Sequence, residues 1–170
     1  HFAYYPSDKK EISEKEAQEH YNDLIANILQ LKEGQIILDA GCGRGVVPNY
    51  IASKYGPTIH GISIVPFEVR KAQDQAKLMG VQGKTHYQIM DYSETDFPDN
   101  YFDAIYTAES LSHSPGIHRT LKEFFRILIA SSAGSMSLIV YIFLRQELFN
   151  SRFLVLGAWF FSGIFVMIGR

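Results

Sequence analysis

The chain has one cysteine, Cys42, among its 170 residues. That excludes an intramolecular disulfide framework and suits a reducing, cytoplasmic setting. Neither sign of charge is in excess: 16 Lys and Arg stand against 18 Asp and Glu, a formal balance of −2. A nucleic-acid partner, which asks for a basic face, has no electrostatic support. No internal repeat is present, and no metal is expected. The first residue is His1 rather than Met, with no charged-then-apolar leader behind it. The chain therefore reads as a fragment or a processed piece.

What is present is a single domain's worth of chain, enough to bury a real core. Residues 11–31 repeat apolar side chains at the three-to-four spacing of a helix face, with acids early. Short apolar runs at 36–38, 58–64, 86–90, 102–107 and 136–143 read as strands. Helices are expected at 46–55, 66–79 and 117–128. Strand and helix in alternation argue an α/β fold, a Rossmann-like, doubly wound and mainly parallel sheet. Such sheets hold ligands outside the carboxyl ends of their strands.

The motif at the first of those ends is "ILDAGCGRG", residues 37–45. A dinucleotide fingerprint would need a third glycine at position 46, which is Val46, and a P-loop would need Lys then Ser or Thr after Gly45. Both phosphate-binding readings fail on spacing. What is left is a backbone that approaches some other ligand closely, with Asp39 beside it to meet a positive or hydrogen-donating group.

"LDAGCGRG" resembles the first motif of class I S-adenosylmethionine-dependent methyltransferases. "FPDNYFDAIYTAESLSHSP" (97–115) is similar to their fourth-strand region, "LKEFFRIL" (121–128) to the helix that follows, and "HFAYYP" (1–6) to the aromatic opening segment of the sterol C-methyltransferase branch. The resemblance implies S-adenosylmethionine as cofactor and methyl transfer to a small, lipid- or sterol-like acceptor. It places Asp39, Gly41, Cys42 and Gly43 around the methionine half. Ser63 and Ile64 stand where many members carry a ribose-binding acid, and a serine bonds more weakly than a carboxylate. Glu68, one helical turn on, is a candidate for the missing acid, although an exposed helix charge explains it equally. Asp91 and Tyr92 fall at the adenine; the plainer reading of Asp91 is a turn cap. Asp103 is expected to be structural. Glu109 is expected near both the cofactor and the transferred methyl, with His113 after it in a segment similar to the "EATCHAP" of sterol methyltransferases. Glu109 and His113 are the candidate bases. Tyr4 is a candidate cofactor contact and Tyr5 a candidate catalytic residue, as aromatic faces for a cationic sulfur.

The far end departs from the family's pattern. A methyltransferase domain is expected over 1–144, with core 35–144, followed by a divergent hydrophobic tail over 145–170. Residues 153–169 are 17 uncharged residues, about 25 Å as a helix against a bilayer core of roughly 30 Å. Three readings stand: a hydrophobic helix packed on an incomplete sheet, a membrane anchor, or an aberrant end from truncation or altered splicing. The last motivates an alternative function, a non-catalytic cofactor-binding remnant.

Overall fold

The computed structural model describes residues 3–5, 12–129, 137–142, 155–160 and 163–168. Among these residues four α-helices and seven strands follow in chain order: α1 (Glu14–Ile28), β1 (Ile36–Ala40), α2 (Val46–Tyr55), β2 (Thr58–Ser63), α3 (Pro66–Leu78), β3 (Thr85–Ile89), β4 (Ala104–Ala108), α4 (Ile117–Ile127), β5 (Ser137–Ile142), β6 (Val155–Phe160) and β7 (Gly163–Ile168). They form one sheet in the order β3-β2-β1-β4-β5-β7-β6. Every neighbouring pair is parallel except β6 with β7. The strand order reverses beside β1, between β2 and β4, so a crevice opens at the carboxyl end of β1.

Local chemistry accounts for the elements. Ser13 and Glu16 form a reciprocal capping box that starts α1. Pro66 opens α3 and Pro48 sits in the first turn of α2, where a missing N–H costs nothing. β1 and β4 are buried on both faces, the mark of central parallel strands. Ile37, Val47, Ile51 and Ile59 pack with Tyr21 and Ile25 of α1 on one face; Leu38, Ile62 and Ile105 pack with Phe124 and Ile127 of α4 on the other. Asp103 is structural as expected: its Oδ2 accepts the Ile36 N–H at 2.7 Å and aligns the start of β1 with β4. Asn49, fully buried, donates to the Ala72 carbonyl at 3.2 Å and accepts from the Tyr87 hydroxyl at 2.7 Å, fastening α2 to α3 and β3.

One expectation is corrected. Within 153–169 the described residues are two strands, β6 and β7, and not a hydrophobic helix. β7 pairs with β5, and β6 closes the edge antiparallel. Continuous apolar runs cannot by periodicity be assigned to helix or buried strand; Val, Ile, Phe and Trp favour the strand. Among the described residues no helix is long and apolar enough to cross a membrane.

His60 on β2 sits beside His86 on β3, ring centroids 5.0 Å apart, walled by Phe97, Tyr101 and Phe102. Burial, and the neighbouring His86, push its titration down to about 4. An unfolded histidine takes its proton near 6.5, so stability is lost as pH falls from about 6.5 toward 4. Urea unfolding at successive pH values should show a shallower acid loss for His60→Phe than for the unaltered chain. Parallel curves would remove His60 from that role.

Candidate functional site

Two joined cavities occupy the crevice at the carboxyl ends of β1, β2 and β4. The larger, about 660 Å³, is bounded by the glycine loop, Tyr21 of α1 and the Glu109–His113 segment after β4. The smaller, about 340 Å³, lies toward β2 and is lined by Ser63, Ile64, Val65, Asp91 and Tyr92 among others. Gly41, Gly43, Glu68, Ser110 and His113 belong to both, so the two spaces are continuous.

The loop is held at both ends. The Gly41 and Cys42 N–H groups donate to the Ile62 carbonyl, each at 3.0 Å. Ser110 bonds the Ala40 carbonyl and shares a 2.6 Å hydrogen bond with Thr107, which fixes the loop to the end of β4. Gly41 has φ +97°, and a Cβ there would lie 2.2 Å from that of Ser110. Gly43 has φ +51° with nothing within 4 Å of where a Cβ would sit. The first glycine is thus demanded by the protein's own packing, whereas the second leaves an open place for something else.

Asp39 sits on β1 directly opposite Tyr106 of β4, and the Tyr106 hydroxyl donates to its Oδ2 at 2.8 Å. The side chain is 2% exposed, and its Oδ1, also buried, has no partner among the described residues. Burial, only partly offset by Tyr106, pushes its carboxyl up to about 7. A half-satisfied buried carboxyl on a cavity wall is expensive unless a ligand completes it.

On the β2 side, Ser63 Oγ donates to Glu68 Oε2 at 2.7 Å and accepts from the Val65 N–H at 3.2 Å. The serine that stands at the strand end therefore turns the Glu68 carboxylate toward both cavities. Asp91 lines the smaller cavity and also accepts the Ser93 N–H through Oδ1 at 2.7 Å, so the turn-cap reading holds as well. Tyr92 donates to the Ser110 carbonyl at 2.9 Å, which ties the post-β3 loop to the same hub. Glu109 is one of three non-glycine residues with positive φ among the described residues, at +64°; strain of that kind persists where surroundings enforce it, often at sites. His113 ends a short 3-10 turn over Leu111–His113. Cys42 is buried with its Sγ 3.6 Å from the Gly43 carbonyl, and burial pushes its thiol upward, so it is an inert lining group.

The structure does not bring Tyr4 or Tyr5 into either cavity. The Tyr4 N–H donates to the Ala17 carbonyl at 2.8 Å and the residue packs on the core; Tyr5 is exposed. Among the described residues the tyrosines that line the cavities are Tyr21 and Tyr92. Tyr21 was hidden by its position on the apolar stripe of α1, although its burial and the nearby Glu109 and Asp39 hold its phenol protonated. Ser110 is legible as the end of the fourth strand, but its bond to Ala40 and that of Tyr106 to Asp39 are not, because those partners lie 70 and 67 residues away.

Comparison with known proteins fits this geometry. Residues 2–165 match the mycolic acid cyclopropane synthetase family, CMAS. The chain belongs to this family. Among its relatives, (+)-O-methylkolavelool synthase of Herpetosiphon aurantiacus is 33% identical over 78% of this chain and 47% of its own length. The 24-methylenesterol C-methyltransferase 2 of Arabidopsis thaliana is 32% identical over 73% of this chain and 34% of its own. The crystal structure of the [4+2]-cyclase SpnF superposes with TM-score 0.71 at 29% identity, over 76% of this chain and 47% of that one. That of a sarcosine dimethylglycine methyltransferase homologue from Galdieria sulphuraria, at 21% identity and TM-score 0.69 over 75% and 49%, shows the same fold. The chain thus spans about half or less of the proteins it matches.

Gly41→Ala should cost about 2–4 kcal/mol, combining a left-handed backbone with an overpacked contact to Ser110. Gly43→Ala meets no atom and should cost only its backbone penalty, about 1–2 kcal/mol. Chemical denaturation of both variants checks the order. Equal losses would contradict the packing argument.

Proposed function

We propose that this domain binds S-adenosylmethionine and transfers its methyl group to a small apolar acceptor of the sterol or terpenoid kind. The observation that carries the reading is the buried Asp39 Oδ1, an acceptor with no partner among the described residues, on the wall of a cavity that the glycine loop leaves open. It calls for a strong donor, and the α-ammonium of the cofactor is one. The open space at Gly43 accommodates the adjoining methionine backbone. Ser63 and Glu68, already paired, present hydroxyl and carboxylate oxygens suited to the ribose hydroxyls. Ile64 and Tyr92 supply apolar faces for the adenine, and Asp91 an acceptor for its amino group. The residues present fit the group.

When bound, S-adenosylmethionine supplies a methyl already activated by cationic sulfur. The protein's work is then alignment, exclusion of water and handling of one proton. The Asp39 carboxylate and glycine loop fix one end of the cofactor. Glu109, held at positive φ, presents its carboxylate in the larger cavity beside His113. These two accept the proton an acceptor must lose, either from carbon after methylation of an alkene or from a hydroxyl. Tyr21 stays protonated and offers a hydrogen bond inside the same space. The names of the relatives, which include sterol C-methyltransferases and an O-methylkolavelool synthase, support an apolar acceptor. The fold neighbour whose reaction is a [4+2] cyclisation shows that the sheet alone does not dictate methyl transfer. The cavity residues carry the case.

Calorimetric titration should show S-adenosylmethionine binding that Asp39→Asn weakens by about 1.5–3 kcal/mol, the range for losing one hydrogen bond to a charged group. Unchanged affinity in a folded variant would remove Asp39 from the site. With a sterol or terpenoid acceptor and labelled methyl donor, Glu109→Gln should lower turnover by about 100-fold or more while leaving cofactor affinity near normal. Full turnover in that variant would exclude Glu109 as the base.

A further inference from the structure

The larger apolar side chains of a folded chain are scattered when exposed, and isolated ones mean little. Here several gather at the mouth of the two cavities. Val46 is 46% exposed, Ile64 69%, Val65 42% and Phe67 47%. Val46 lines the larger cavity, and Ile64 and Val65 line the smaller. The start of α2 is pressed on α3, since a Cβ at Gly45 would lie 2.7 Å from that of Ala72, so the four residues bound one rim.

Cations are interleaved with this apolar rim. The Arg44 guanidinium and the Lys71 ammonium each lie 5.7 Å from the centroid of the Phe67 ring. Arg70 follows Phe67 by three residues on the same helix and shares its side. Asp74 is the acid on that side; Glu68 is turned inward by Ser63. Protein–protein interface cores are depleted in lysine, whereas lysine and arginine beside aromatic and aliphatic side chains are the composition of a surface that sits at a lipid headgroup boundary. The basic excess complements anionic lipid.

We propose that this rim docks on an anionic bilayer, with Phe67, Val46 and Val65 entering the headgroup boundary and Arg44 and Lys71 contacting lipid phosphate. The inference rests on the methyl-transfer reading and deepens it: an apolar acceptor passes from the bilayer into the larger cavity without crossing water.

The test is sedimentation of the 170-residue chain with vesicles of phosphatidylcholine alone or with about one third phosphatidylglycerol, at low salt. Anionic vesicles should bind the chain several-fold more strongly than neutral ones, and added salt should release it. Lys71→Ala and Phe67→Ser should each weaken binding about fivefold or more, with Lys71→Arg restoring it. Both side chains are exposed, so thermal midpoints should not move. Absence of binding to either vesicle, or full binding by the Lys71→Ala/Phe67→Ser pair, overturns the proposal. S-adenosylmethionine titration of the same proteins stands apart: normal cofactor binding with no vesicle binding rejects only the docking surface, and loss of cofactor binding by the unaltered chain rejects the methyl-transfer reading.

Discussion

A carboxyl buried at the end of the central strand is the constraint around which the site is arranged. Asp39 occupies a position that strand alternation would give to another core residue, on the face that carries Ile37 and Tyr106. Burying it costs several kcal/mol unless both oxygens find donors. Tyr106 satisfies one. The other is left facing the cavity, and the carboxyl's upward shift to about 7 is the electrostatic expression of that debt. A ligand that brings a cation to Oδ1 gains a partner and relieves the protein at once, which is how a site can be selective for an amino acid end without a dedicated charge on its surface.

The rest of the crevice follows from holding that position still. Ser110 bonds the carbonyl of Ala40, the Ile62 carbonyl receives the loop's two N–H groups, and Tyr92 reaches the Ser110 carbonyl. The carboxyl ends of β1 to β4 are thereby tied at one place. Glu109 stands at the junction with a backbone conformation that L-residues avoid, and lines the same cavity as Asp39. The same small set of hydrogen bonds thus places both carboxylates, Asp39 and Glu109, on the wall of one cavity.

Much of this was legible in the sequence because the signals are local. Alternating apolar runs and helical periodicity place β1–β5 and α1–α4 to within a few residues, and the spacing of Gly41, Gly43 and Gly45 excludes phosphate loops. The hydrogen bond from Ser63 to Glu68 is also local, five residues apart. What failed to show was long-range or degenerate. Nothing near Tyr21 in sequence says that its helix faces the cavity, and nothing near Ser110 says that it touches Ala40. The run after residue 153 is uniformly apolar, so its period is silent, and the strands emerge from pairing, β7 with β5 and β6 with β7. Tyr4 and Tyr5 were suggested by resemblance alone, and the core contact of Tyr4 shows how readily an aromatic near a cleft becomes packing.

The central claim is that Asp39 exchanges its proton for the ammonium of a sulfonium amino acid. Calorimetric titration of S-adenosylmethionine near pH 6, repeated in buffers of different ionisation enthalpy, reads that exchange directly. Because Asp39 holds its proton below about 7, binding there should release close to one proton, with release fading above about pH 8, and Asp39→Asn should release none. Binding with no buffer dependence, or equal release by Asp39→Asn, would contradict the account.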